Sequence, residues 1–126
     1  MSKRILVVDD EESLRDLAAA CLEDLGGWEV VTAASGHDGL RKAAAYHLDA
    51  ILLDVSMPNM DGFAVYETLK ADASLHHLPI VLLTAKVLPT DRARFAQMDI
   101  AGVVTKPFDP THLCAQLATM LKWNER

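Results

Sequence analysis

The stretch ILLDVSMPNMDG, residues 51–62, decides the fold of this chain. With Ala50 before it, the run Ile51, Leu52, Leu53 is apolar at every position and too short for a helix. A strand with no polar alternation is buried on both faces, as in a parallel sheet covered by helices. The run ends on a carboxylate, Asp54, and Pro58 marks a turn. After Asp61 the helical spacing of Phe63, Tyr66 and Leu69 takes over.

The same alternation recurs on both sides. Short runs rich in Val, Ile or Leu stand at Ile5 to Val8, Trp28 to Val31, Ala50 to Leu53, Ile80 to Leu83 and Val103 to Val104, which predicts five strands. Between them lie amphipathic segments. Leu14, Leu17, Ala18, Cys21, Leu22 and Leu25 form one apolar stripe, and Leu113, Leu117, Met120 and Leu121 form another. Ser35 with Asp38 opens a helix containing Leu40, Ala43 and Ala44, and Asp109-Pro110 places a cap before a proline suited to a first turn. A fourth helix is expected over about Asp91 to Met98, anchored by Phe95 and Met98. Strand alternating with helix implies right-handed crossovers and an α/β three-layer sandwich, with helices on both faces of a parallel sheet.

Size and charge narrow the function. A chain of 126 residues makes one domain, large enough to fold without disulfides or structural metal. The net charge of −6 and the lack of a basic stripe argue against direct nucleic-acid binding. Cys21 and Cys114 read as core residues rather than a metal or redox pair. No apolar run is long enough for membrane insertion, and reduced thiols suit a cytoplasmic protein. His76-His77 falls in a loop before Pro79, and Trp28 and Trp123 read as packing anchors.

The polar residues at the ends of the apolar runs matter more. The first run ends in Asp9-Asp10, the third in Asp54, the fourth in Thr84, and the fifth leads through Thr105 to Lys106. In a parallel sheet these positions share one edge, outside which open α/β sheets bind their ligands. Taken singly, the acids Asp9 to Glu12 would serve a helix N-terminus, Thr84 a cap and Lys106 a solvated surface. Together, at the same end of separate strands, they describe a site. Carboxylates about 5 Å apart repel by roughly 3 kcal/mol at an effective dielectric near 20, so the cluster must hold protons or a cation. Few, hard oxygen ligands open to water suit Mg²⁺.

ILVVDDEE at 5–12, ILLDVSMPNMDG at 51–62, VLLTA at 81–85 and TKPFD at 105–109 make the chain resemble the receiver domains of bacterial response regulators. The resemblance covers nearly the whole chain and implies a five-stranded sheet in order 2-1-3-4-5. It implies that Asp54 is phosphorylated by a phosphohistidine of a sensor histidine kinase or phosphotransfer protein. Asp10 and Asp54 would bind Mg²⁺ directly, Asp9 through water, and the Ser56 backbone carbonyl would add a ligand. Lys106 and Thr84 would contact the phosphoryl group, small Ala85 would leave access to it, and the bond before Pro107 would be cis. The expected product is a switched surface for an unknown downstream protein, on a monomer or weak homodimer that has no output domain and is not a turnover enzyme.

The chain departs from the family pattern in three respects. Val103 stands where an aromatic usually changes rotamer with the threonine. Ser56 and Lys86 occupy positions that tune the lifetime of the acyl phosphate, and Lys86 is expected to slow its hydrolysis. Asp99 replaces a glycine that commonly ends the fourth helix, and is expected to tolerate a left-handed backbone. Gly62 and Gly102 read as backbone turns. Three other functions fit the fold class less well. A docking platform that takes no phosphate would not need the full set of acids, Thr84 and Lys106. An aspartate-nucleophile phosphatase needs a second acid where Ser56 stands, and a flavin carrier needs a Gly, Ser or Thr-rich loop where Asp9-Asp10 stands.

Overall fold

A computed structural model describes residues 3–85 and 88–123 of the chain. Its elements run β1 (Arg4–Val8), α1 (Glu12–Gly26), β2 (Glu29–Ala33), α2 (Gly36–Ala45), β3 (Ala50–Asp54), α3 (Gly62–Ala71), β4 (Ile80–Thr84), α4 (Pro89–Ala96), β5 (Gly102–Thr105) and α5 (Leu113–Leu121). The strands form one parallel sheet in order β2-β1-β3-β4-β5. The expected three-layer α/β sandwich is therefore the observed one.

Side chains of a strand alternate between faces, and here both faces are dry. Leu6, Val8, Ile51, Leu53, Ile80 and Leu82 pack with Ala43 of α2, Val65, Tyr66 and Leu69 of α3, and Phe95 of α4. Their neighbours Ile5, Val7, Ala50, Leu52, Val81 and Leu83 pack with Ala18 and Leu22 of α1 and with Leu113, Leu117 and Leu121 of α5. Continuous apolar runs were needed because each strand feeds two cores. Trp28 meets Trp123 edge-on with ring centroids 4.9 Å apart, and Cys21 and Cys114 are free thiols. Among the described residues no helix is long and apolar enough to cross a membrane.

Local chemistry fixes several boundaries and moves others. Ser35 Oγ accepts the Asp38 N–H at 3.1 Å and opens α2, as its spacing predicts. Gly27 ends α1 in the left-handed region, at φ 67°. β2 begins after Trp28 and continues to Ala33, because its register on β1 runs from Arg4–Glu29 to Val8–Ala33. α4 starts at Pro89 rather than near Asp91, since a proline fits the first turn and Asp91 accepts the Leu88 N–H at 3.0 Å. Conversely, α5 starts at Leu113 rather than at Pro110. Asp109 Oδ1 accepts both the N–H and hydroxyl of Thr111, a local turn that competes with helix.

Three further expectations are corrected. Leu17 and Leu25 of the α1 stripe are 39% and 60% exposed, Leu17 at the flank of the buried face and Leu25 in the last turn. Asp99 has no left-handed backbone; its N–H donates to Tyr66 Oη at 2.7 Å and its carboxylate pairs with Lys70 at 2.9 Å. Gly62 is the first residue of α3 and Gly102 the first of β5, so neither stands in a turn. A Cβ on Gly62 would stand 2.4 Å from the Asp54 carbonyl oxygen, and one on Gly102 would stand 2.5 Å from Met120 Sδ. Both glycines are there for close approach.

Candidate functional site

The sheet register brings the polar ends together. Val8 pairs with Leu53, so Asp9 follows β1 beside Asp54 at the end of β3. Asp54 pairs with Leu83 and Thr84 with Thr105, and the Lys106 N–H donates to the Thr84 carbonyl at 2.8 Å. Asp9, Asp54, Thr84 and Lys106 are thus delivered by four adjacent strand ends. β2 ends in Ala33 and brings no ionisable group, consistent with its place at the sheet edge.

One oxygen each of Asp9, Asp10 and Asp54 lies within 4.8 Å of the others. Asp9 and Asp54 are each 1% exposed, whereas Asp10 faces solvent. Asp9 Oδ1 accepts the Glu11 N–H at 2.9 Å, and Asp54 Oδ1 is 3.4 Å from the Ser56 N–H. Among the described residues Asp54 Oδ2 is buried without a hydrogen-bond donor, and Asp9 Oδ2, equally buried, has only the charge of Lys106 at 3.2 Å. A buried carboxylate oxygen without a donor costs on the order of 1–3 kcal/mol or more. Such a pair beside an exposed third carboxylate is what a small hard cation fits: oxygen donors only, charge in excess, one side open to water.

Lys106 is the counterweight. Its Nζ stands 3.2 Å from Asp9 Oδ2, 3.3 Å from Asp54 Oδ1 and 3.1 Å from Glu11 Oε1. One ammonium does not balance this cluster. Burial first, then the charge of Asp9, pushes the Asp54 carboxyl up to about 6, while Lys106 and the Ser56 N–H pull against them. Burial lowers the Lys106 ammonium, but Asp54, Glu11 and Asp9 outweigh it and hold it above the ordinary lysine value. Asp54 therefore sits as an ionised but strained carboxylate near neutral pH.

The rest of the site surrounds this cluster. Thr84 is buried at the end of β4 and Ala85 beside it is exposed. The Lys106–Pro107 peptide bond is cis. Val103 of β5 is partly buried and lines a groove with Arg92, Phe95, Ala96, Ile100 and Thr105. Ser56 is exposed two residues past Asp54. Lys86 lies outside the described residues. Two contacts escaped the sequence reading. Glu11 reaches Lys106, and Arg15 Nη1 donates to the Asp9 carbonyl at 3.0 Å. The run DDEE offers Glu11 as a partner for any nearby cation, but nothing in it says that Lys106 arrives from 95 residues away.

A family model described as the response regulator receiver domain matches residues 5–118. The alkaline phosphatase synthesis transcriptional regulatory protein PhoP of Bacillus subtilis is 38% identical over 125 residues, covering 99% of this chain and 51% of that protein. The response regulator PleD of Caulobacter vibrioides is 41% identical over 124 residues, covering 98% of this chain and 27% of its own length. The chain thus spans about half, or less, of these relatives. Among solved structures, the chemotaxis protein CheY4 of Vibrio cholerae superposes with a TM-score of 0.88 at 32% identity, over 95% of this chain and 99% of that one. The receiver domain of a sensor histidine kinase from Pseudomonas aeruginosa, described with a magnesium ion in its active-site cleft, gives 0.84 at 30%, over 97% and 99% of the two chains.

Proposed function

Since the chain belongs to the response regulator receiver domain family, whose members are the phosphoacceptors of two-component signalling, we propose that Asp54 accepts its phosphoryl group from a phosphohistidine of a sensor histidine kinase or phosphotransfer protein. The observation that carries this reading is Asp54 Oδ2: buried, without a donor, on a carboxylate strained up to about 6, beside the ammonium of Lys106. That oxygen forms the bond to phosphorus as the P–N bond of the donor breaks, the imidazole leaving with the electron pair. Little covalent work falls to the protein, and positioning with charge stabilisation does most of the catalysis.

Asp10 and Asp54 would hold Mg²⁺ directly, with Asp9 through water and the Ser56 carbonyl as a further ligand; the fit rests on the three clustered carboxylates, their charge in excess of Lys106 and the all-oxygen donor set. Bound there, Mg²⁺ supplies the positive charge that lets a phosphoryl group approach a carboxylate cluster. Lys106 pairs with a phosphoryl oxygen as a point charge. Thr84 gives its hydroxyl to another, and exposed Ala85 leaves the path open. Adding close to two negative charges then reorders the neighbouring loops and presents an altered surface to a downstream protein. Val103 is too small to act as an aromatic toggle, so Thr84 and its loop carry the change. In this reading the chain turns over no exogenous substrate and catalyses only its own phosphorylation and slow hydrolysis.

Acetyl phosphate with Mg²⁺ tests the assignment. Intact mass should rise by one phosphoryl group in the wild type, with no gain after chelation or in Asp54→Asn. An Asp54→Asn protein that is phosphorylated equally well would remove Asp54 from the reaction.

A further inference from the structure

Among the described residues three carboxylates stand around Lys106, and they differ in what else they must do. With Asp54 as the phosphoacceptor, its carboxylate becomes an acyl phosphate, and Asp9 belongs with Asp10 and Asp54 to the cluster that faces a cation. Glu11 lies outside that cluster, at the rim, with its side chain 56% exposed, and its contact to Lys106 at 3.1 Å has hydrogen-bond geometry. It is the partner of Lys106 that neither phosphorylation nor the cation consumes.

The backbone of Glu11 is held from both sides. Its N–H donates to Asp9 Oδ1 at 2.9 Å, and its carbonyl accepts the Arg15 N–H at 2.9 Å at the start of α1. Arg15 also fastens the Asp9 carbonyl at 3.0 Å. Only the Glu11 side chain is left to follow the ammonium. Lysine carries its charge on a four-carbon stem with several torsions to order, so an anchor that stays charged is what keeps it in place.

We propose that Glu11 is a positioning residue, which retains the Lys106 ammonium beside Asp54 both before and after phosphoryl transfer. It acts through Lys106 and does not touch the phosphoryl group. The inference rests on Asp54 being the phosphoacceptor and adds a role for a side chain one step removed from it. When Asp54 Oδ2 attacks acetyl phosphate, the P–O bond to the acyl group breaks and acetate leaves as the anion. No proton moves, so the barrier is sensitive to where the nearby charge is held.

A double-mutant cycle tests this, using acetyl phosphate with Mg²⁺ on the full chain as wild type, Glu11→Gln, Lys106→Ala and the double variant. Glu11→Gln should slow Asp54 phosphorylation by about two- to five-fold, the range of a partly exposed ion pair. In the Lys106→Ala background it should cause no further slowing. The cycle also subtracts whatever the charge of Glu11 does to the approach of an anionic donor. Beryllofluoride, read by calorimetry with Mg²⁺ present, should bind Glu11→Gln more weakly by a similar factor. Full-speed phosphorylation of Glu11→Gln, or equal slowing in both backgrounds, overturns the proposal. Failure of the wild type to take phosphate overturns the Asp54 reading itself, which is a different result.

Discussion

Replacing Asp54 with Asn should stabilise the metal-free protein at neutral pH. Oxygens of Asp9, Asp10 and Asp54 lie within 4.8 Å of one another. At an effective dielectric near 20, buried Asp9 repels Asp54 by about 3.5 kcal/mol, while water screens the exposed Asp10. Lys106 at 3.3 Å returns about 5 kcal/mol, so the deficit comes from burying the carboxylate. The balance is a carboxyl pushed up to about 6, from burial first and Asp9 second. Against an ordinary aspartate this is about two pH units, an upper limit near 3 kcal/mol. Relaxation and water on the open Asp10 side reduce it to about 1–2 kcal/mol. Because the folded state holds this proton more tightly than the unfolded chain, the penalty is absent below about pH 4. It grows as pH rises toward 6 and is complete above that. Thermal unfolding in EDTA at about pH 7.5 should therefore show Asp54→Asn melting roughly 4–8 °C above wild type. By about pH 4 the gap should close. A variant that melts lower at pH 7.5, or a gap that widens on acidification, would mean that Lys106 over-compensates the cluster and the strain argument is wrong.

The other predictions concern neighbours of that carboxylate. Mg²⁺ at about 100 times its Kd should raise wild-type stability by about 2.7 kcal/mol, and Asp10→Ala should abolish the shift while leaving the metal-free midpoint within about 0.5 kcal/mol, since Asp10 is exposed. Urea unfolding with and without EDTA reads both. Gly62→Ala should cost on the order of 1–3 kcal/mol, because its Cβ meets the Asp54 carbonyl at 2.4 Å and backbone cannot turn aside; an unchanged urea midpoint would mean that α3 shifts freely. Tyr66→Phe should cost about 0.5–1.5 kcal/mol by leaving the Asp99 N–H without its 2.7 Å acceptor, with faster amide exchange at Asp99 as the local signature. Lys86→Glu should speed loss of the acyl phosphate if Lys86 restrains the attacking water, and an unchanged half-life would remove it from that role.

Much of this was readable in the residues, for definite reasons. Strands that feed two cores are apolar at every position, so Ile5 to Val8, Ala50 to Leu53 and Ile80 to Leu83 announce themselves. Once they are parallel, the residue after each run must lie at one edge, which placed Asp9, Asp54, Thr84 and Lys106 together without coordinates. What periodicity misses is whatever depends on a partner far along the chain. Leu25 has the spacing of a core residue, yet α1 ends there and leaves it 60% exposed. Asp99 looks like a substitute for glycine, but its backbone is set by Tyr66, 33 residues earlier. Gly62 reads as a turn because sequence cannot show the Asp54 carbonyl approaching it. Glu11 merged into a run of acids whose ordinary use is a helix N-terminus, and only the arrival of Lys106 sets it apart.

The central claim is that one particular oxygen, Asp54 Oδ2, is left unsatisfied in order to receive phosphorus. A crystal structure grown with Mg²⁺ and beryllofluoride addresses it directly. The account predicts beryllium bonded to Asp54 Oδ2, a cation held between Asp10 and Asp54, and Lys106 Nζ on a fluoride. Beryllofluoride on another carboxylate, or an Asp54 side chain bare at saturating Mg²⁺ and fluoride, would contradict it.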